Sequence, residues 1–307
     1  MESYMGKYRL PADFKAALKA AAVRASKESG ASADDVMRTY YFNRLAARVF
    51  TSDPDGWLIK GGQALLVRYS NAARLSRDID LQSARPERSS EEAVAALVAA
   101  AGHDLDDMLR FTPTKFVAHA DGERGGAQYF GVYIGNGLAA TIKVDVVIGR
   151  RLTGQPERRQ LRSAVSMEWP DDWPKVLLYP VVDHVADKIC AMYEWHNQAP
   201  SSRYRDLADL LLISQQEVID GPLARQVLRS EAVRRLGLGN DLRLPDEFEV
   251  PDRSWNDRNY GAAAALVSGL VGCRNLRAAS VVARAFVTPL LGEIPLGQWD
   301  PQEARWQ

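Results

Sequence analysis

Apolar and polar positions alternate most regularly over residues 138–149, LAATIKVDVVIG. Ile142, Val144, Val146 and Ile148 fall on one side, and Lys143, Asp145 and Val147 on the other. A period of two is that of a strand with one face in the core. Two strands are expected before it: TPTKFVAHA (112–120), ended by DGERGG, and AQYFGVYIG (127–135), ended by the hairpin signal Asn136-Gly137. Upstream the period is helical over 11–28, and again over 32–50 through Val36, Tyr40, Leu45 and Val49. WLIK (57–60) reads as a short strand, and QALLVRY (63–69) as a helix after two glycines. A further strand carries Asp78 and Asp80. Ser89 and Glu92 have the spacing of a capping box, which opens a helix over 89–100.

Residues 150–174, first rich in arginine and then in proline and tryptophan, read as a connector. Helical periods follow at 181–196, 203–214, 222–237, 259–272 and 276–291, with a loop at 246–260. This order predicts an α+β protein: a mixed sheet with flanking helices over residues 1–175, then a C-terminal helical domain over 176–307.

Composition narrows the partners. A chain of 307 residues, 46% hydrophobic and 25% charged, is an ordinary globular mix with enough length for two cores. Thirty-nine basic and 39 acidic residues cancel, so no bulk positive field draws the chain to nucleic acid or membrane. Binding to a polyanion needs a local patch. The basic run GRRLTGQPERRQLR, with Arg150, Arg151, Arg158, Arg159 and Arg162, is either a solvated connector or such a patch, contacting an RNA backbone. Cys190 and Cys273 stand in apolar helical contexts, where buried free thiols are expected, and they fit a reducing cytoplasm. Charges interrupt every apolar stretch of the N-terminus, which argues against a signal peptide. The longest uncharged run, Asn259–Cys273, has 15 residues and is short for a membrane span, so it reads as a buried helix.

The acidic residues raise a sharper question. Asp78 and Asp80, two apart on a strand, share a side at roughly 6.6 Å and repel by roughly 2.5 kcal/mol at an effective dielectric near 20. Either that face is solvated or a divalent cation lies between them. Asp145 sits mid-strand among valines, where an unpaired buried carboxylate costs several kcal/mol. Lys143 on the same face is one partner; a metal is the other, with Asp145 as general base for an attacking hydroxyl. Gly61 and Gly62, at a strand–helix turn, let a phosphate approach the backbone and the positive end of the next helix. Ser76 either binds a phosphate oxygen or caps its loop. Lys188 lies at the edge of the apolar stripe Val182, Val185, Ile189 and Met192, so its ammonium either snorkels to water or turns to a triphosphate. Asp183 and Asp187 are like charges four apart, and Arg205 and Asp209 fit a local salt bridge. His103, His119, His184 and His196 are scattered, and neither a Ser/His/Asp triad nor a zinc spacing is present.

Taken together, KGGQALLVRY and RLSRDIDL resemble the first motif of the polymerase β-like nucleotidyltransferase superfamily. More narrowly they resemble the AbiEii/AbiGii-type toxins of bacterial toxin–antitoxin systems, the MenT-like proteins included. The wider superfamily has Gly-Ser where this chain has Gly61-Gly62. Arg74 and Ser76 match the basic and hydroxyl residues ahead of the aspartate pair. Lys143 and Asp145 match a K-x-D strand, Asp183 and Lys188 a helix of form D-x₄-K, and Arg205, Asp206 and Asp209 an R-D-x-x-D-L helix. These motifs span residues 60–210, and nothing outside them is matched. The resemblance implies a metal-dependent nucleotidyltransferase. Mg²⁺, or Mn²⁺ in its place, would be held by Asp78, Asp80 and Asp145. The nucleotide would be contacted by Lys60, Gly61, Gly62, Arg74, Ser76 and Lys188, with Asp206 placing Lys188. It further implies an NTP and a tRNA 3′ end as substrates, arrested translation, a cognate antitoxin, a cytoplasmic location with no membrane contact, and a site of inactivating phosphorylation at Ser76. Two alternatives stay open at this level: a protein or small-molecule hydroxyl as acceptor, and a non-catalytic nucleotide-binding module.

Overall fold

The computed structural model describes residues 8–120 and 123–307. They fall into two compact units. The first is built from the chain up to residue 68 with 75–151 and 156–178, and the second from 69–74, 152–155 and 179–307. The two short segments 69–74 and 152–155 thus leave the sheet unit well before the boundary expected near residue 175.

The first unit is a mixed α/β fold. Its elements are α1 (Pro11–Ser29), α2 (Ala33–Ser52), β1 (Trp57–Lys60), α3 (Gly61–Tyr69), β2 (Ile79–Ser83), α4 (Ser90–Ala101), β3 (Leu109–Ala118), β4 (Gly125–Ile134), β5 (Gly137–Val147), β6 (Glu157–Gln160) and β7 (Lys175–Leu178). Seven strands form one sheet in the order β3-β4-β5-β2-β1-β7-β6. The pairs β2–β5 and β1–β7 are parallel and the rest antiparallel. Period-two patterning decides which face each side chain takes. Trp57 and Ile59 of β1, Ile79 and Leu81 of β2, and Ile142, Val144 and Val146 of β5 join one core with Phe14 and Leu18 of α1, Tyr40, Leu45 and Val49 of α2, and Leu97 of α4. The capping box is formed as expected: Glu92 N–H donates to Ser89 Oγ and Ser89 N–H to Glu92.

From Thr39 to Phe50 helix α2 is buried around its whole circumference, which its apolar stripe did not foretell. Arg44 and Arg48 lie in the interior because Asp107 takes both guanidinium groups, at 2.6 Å and 2.5 Å, and Asp172 takes Arg44 at 2.9 Å. A buried charge is tolerated where its partners are supplied in this way. Burial and both arginines act on the Asp107 carboxyl, and the arginines win, holding it below its ordinary range.

The second unit is mainly helical: α5 (Val181–Tyr193), α6 (Tyr204–Gln216), α7 (Gly221–Gly237), α8 (Asp257–Ala264) and α9 (Leu276–Leu291). Two expectations need correction. The stretch read as a connector contains the edge strand β6, whose sequence Glu-Arg-Arg-Gln has no apolar residue to give a period. The helix expected over 259–272 stops at Ala264. Beyond it the Gly269 amide donates to the carbonyl of Ala72 (2.9 Å), and Arg274 caps the carbonyls of Ala264 and Ser268, so partners elsewhere replace the helical ladder. Cys190 and Cys273 are both free and buried. Among the described residues no helix is long and apolar enough to cross a membrane.

Candidate active site

The site is set by strand register. Lys60 of β1 pairs with Asp80 of β2, and Asp80 pairs with Asp145 of β5, so three charged residues form one row across three adjacent strands. Residues paired across a ladder point to the same face, here the one opposite the helix-covered core. Asp78, the residue just before β2, completes the group. One oxygen from each of Asp78, Asp80 and Asp145 lies within 4.8 Å of the others. Burial, and then the charges of Asp78 and Asp145, push the Asp80 carboxyl up to about 7. A cluster that strained by like charge gains from a divalent cation. Three carboxylates are the hard oxygen donors that magnesium or manganese takes.

A lysine now occupies part of that role. Lys143 Nζ lies 2.6 Å from Asp145 and 3.9 Å from Asp78. Burial would lower its pKa, but the three aspartates outweigh burial and hold it charged. Asp145 thus has Lys143 as an ion-pair partner and also sits in the carboxylate cluster. His119 Nε2 lies 4.0 Å from Asp145 Oδ1, a neighbour the sequence had left among the scattered histidines.

Gly61 opens α3 with φ +58°, and a Cβ there would stand 1.9 Å from Asp80 Oδ2. The glycine is therefore required twice, by the left-handed backbone and by the aspartate against it. Gly62 follows, buried, in the first turn of α3. Ser76 is buried, and its hydroxyl donates to Asp78 Oδ1 at 3.3 Å.

The remaining expected site residues belong to the second unit. Lys188 is 6% exposed, so it neither snorkels nor stands free. It donates to Asp206 at 2.9 Å and to Asp209 at 2.7 Å. Arg74 forms a two-pronged pair with Asp209, at 3.1 Å and 2.9 Å. Asp209 therefore links α5, α6 and the 69–74 segment, where the sequence pointed only to a local pair with Arg205. Burial raises the Asp206 carboxyl, but Lys188 and then Arg203 outweigh it and hold it below the ordinary carboxylate range. Asp183 accepts the amides of Thr153 and Gly154, at 3.3 Å and 2.9 Å, and Asp187 pairs with Arg235 at 3.3 Å. The like charges on α5 are thus offset separately.

Several arginines of the basic run have partners. Arg158 and Arg159 project from β6 and pair with Asp55 and Glu157. Arg151 is exposed, and Arg150 offers its carbonyl to Gln82.

The family model described as nucleotidyl transferase AbiEii toxin, type IV toxin–antitoxin system, matches residues 44–268, well over half of the chain. The chain belongs to the AbiEii family. It is a toxin-type nucleotidyltransferase, and this family implies an NTP substrate and an antitoxin partner. Among solved structures, the AbiEii chain is similar in fold to MenT4, a nucleotidyltransferase toxin from Mycobacterium tuberculosis H37Rv. The match has a TM-score of 0.51 and 16% identity over 88% of this chain and 97% of that one. An H. pylori protein provisionally described as a nucleotidyltransferase also matches, with a TM-score of 0.40 and 14% identity over 76% of this chain and 94% of the other. No curated protein matches the AbiEii chain. Its family span contains the carboxylate cluster and the Lys188–Asp206–Asp209–Arg74 network, whereas α1 lies outside it.

Proposed function

We propose that this AbiEii chain transfers a nucleotide from an NTP to the 3′ end of a tRNA in the cytoplasm, using Mg²⁺, and so blocks translation until its antitoxin restrains it. The observation that carries the reading is the register of Asp80 with Asp145, which gathers carboxylates from two parallel strands and the residue before one of them. Asp78, Asp80 and Asp145 would hold the metal. A metal bound there supplies charge for the phosphates and for the attacking and leaving oxygens. Asp145 accepts the proton of the acceptor hydroxyl, and Lys143 keeps that carboxylate oriented. The amides opening α3 at Gly61 and Gly62 receive a phosphate oxygen, and the Asp80 side chain beside Gly61 keeps any larger residue out of that turn. Ser76 orients Asp78, and in this position a phosphate on its hydroxyl would set a second anion against the carboxylates. Lys188 and Arg74 reach a phosphate by exchanging one anion, a carboxylate of their network, for another.

The deciding experiment incubates the protein with each of the four labelled NTPs and separate pools of tRNA, protein and small metabolites. Label should enter tRNA, with pyrophosphate released. Label in the protein or metabolite pool moves the acceptor assignment, and tight NTP binding without turnover supports the non-catalytic module. Asp80→Ala should lower transfer by about 10²-fold or more, the scale of removing one preorganised electrostatic group. Near-normal turnover by that variant removes the carboxylate cluster from the chemistry.

A further inference from the structure

The carboxylate row does not end at β5. The same register continues across β4 and β3, on the face turned away from the core. Asp145 pairs with Ala127, Lys143 with Tyr129, and Tyr129 with Lys115. Two residues further along β4 comes Gly131, and two beyond that Tyr133, which pairs with Arg110. Each tyrosine carries a cation on its ring. Lys115 Nζ lies 4.4 Å from the centre of Tyr129, and the Arg110 guanidinium 4.5 Å from that of Tyr133. Lys115 and Arg110 are both exposed, and among the described residues neither forms an ion pair. Tyr133 leans over the bare Cα of Gly131, where a Cβ would meet its ring at 3.0 Å. The margins are open and apolar: Val117 is 51% exposed and Leu138 57%.

A packed core does not explain this face. It carries two rings and two cations, with the Arg110 guanidinium also donating to the Thr112 hydroxyl at 2.8 Å, and it adjoins the carboxylates. Along β4 the first ring stands about 7 Å, and the second about 20 Å, beyond the residue paired with Asp145. Rings half-open to solvent with neighbouring cations are what single-stranded nucleic acid uses, its bases stacking on the rings and its phosphates taking the cations. Both cations sit on flexible exposed stems, so they can leave the rings for phosphates without uncovering a buried charge. An acidic protein surface would take the cations and leave the ring faces unused, so the combination favours a polynucleotide.

We infer that the outer face of β3–β5, centred on Tyr129 and Tyr133 with Lys115 and Arg110, docks the single-stranded 3′ end of an RNA acceptor and leads it to the carboxylates. This inference rests on the proposed transfer to RNA and supplies its acceptor-binding surface. Phosphate contacts to Lys115 and Arg110 hold the strand, base stacking on the two tyrosines sets its line, and the terminal hydroxyl arrives beside Asp145.

The test measures binding of a short single-stranded RNA, labelled at its 5′ end with fluorescein, by anisotropy on the full chain. Tyr129→Ala/Tyr133→Ala should weaken RNA binding by at least about tenfold, leave NTP binding unchanged, and raise KM for RNA more than it lowers kcat. Tyr129→Phe, which keeps the ring, should bind as the unmodified protein does. Lys115→Glu/Arg110→Glu, at exposed positions that spare the fold, should lose RNA binding while circular dichroism and melting stay unchanged. Absent RNA binding, or wild-type affinity in the double variants, overturns the inference. So does loss of antitoxin binding with RNA binding intact, which would make the face a protein-docking surface. Tyrosine-dependent binding without nucleotide transfer keeps the docking face and rejects the enzymatic reading. Transfer to RNA with normal KM in the tyrosine variant does the reverse.

Discussion

At the scale of the residue, Gly61 shows how tightly the site is drawn. Its backbone is left-handed, and Asp80 occupies the space where any side chain would start. Gly61→Ala must therefore move the aspartate as well as strain the turn. We expect about 1 kcal/mol or more of lost stability, seen as a lower melting temperature, together with weaker stabilisation by added Mg²⁺. A variant that melts and responds to Mg²⁺ as the original does would contradict this packing. Asp80 carries a pH signature of its own. Its carboxyl is raised to about 7 in the fold, by burial and then by Asp78 and Asp145, against about 3.9 in an unfolded chain. The folded state then holds the extra proton between those values, so this group's contribution to stability falls as pH rises toward 7. On the proposed metal site, protons and metal compete for one carboxylate. The melting shift on adding Mg²⁺ should be larger at pH 8 than at pH 5, and Asp80→Asn should flatten the difference; equal shifts at both pH values would reject the competition. The paired aspartates and the two glycines were legible in the sequence because their spacing is local. The nearness of His119 to Asp145 was not, because it depends on where the chain leaves β3, with β4 between that strand and β5.

At the scale of the element, patterns with a partner inside the same segment were readable. The capping box of α4 and the two-residue period of β5 are both of that kind. The burial of Arg44 and Arg48 in α2 was not readable, since Asp107 and Asp172 arrive from loops far along the chain. Helices α5 and α6 make the same point through Asp209. Local spacing offers it Arg205, whereas the fold gives it Lys188 and Arg74. Removing Asp209 leaves two cations around a buried site with only Asp206 facing Lys188. Asp209→Ala should therefore cost about 3 kcal/mol or more, measured by urea unfolding. A loss under about 1 kcal/mol would mean that the network is a surface-like pair. Asp206 shows the opposite pH behaviour to Asp80. Its carboxyl is held below the ordinary range, so its contribution is present above that range and is lost as pH falls through the lowered value.

At the scale of the whole molecule, equal numbers of acidic and basic residues mean that any RNA affinity is local. The arginines of β6 are already taken by Asp55 and Glu157, while among the described residues Lys115 and Arg110 are not committed to acids. If those two supply the phosphate contacts, the logarithm of RNA affinity should fall against the logarithm of salt with a slope of about −1.4, near −0.7 for each contact on a single strand. A slope of about −3 or steeper would require contacts beyond them. Arg158→Ala and Arg159→Ala should leave the slope unchanged.

The sequence by itself determined the elements with regular periods, the α+β class, the candidate acids and lysines, and the family resemblance, because each is written in neighbouring or evenly spaced residues. Tertiary structure alone decided which of those groups meet. Parallel pairing of β2 with β5 brought Asp80 beside Asp145, burial made Lys188, read from sequence only as lying at the edge of an apolar stripe, the partner of two carboxylates, and the β3–β5 register laid two tyrosines on the same face as the site. The physical reason is common to all three. Propensity and periodicity act within a few residues, while register and burial depend on segments that become neighbours only after the chain has folded.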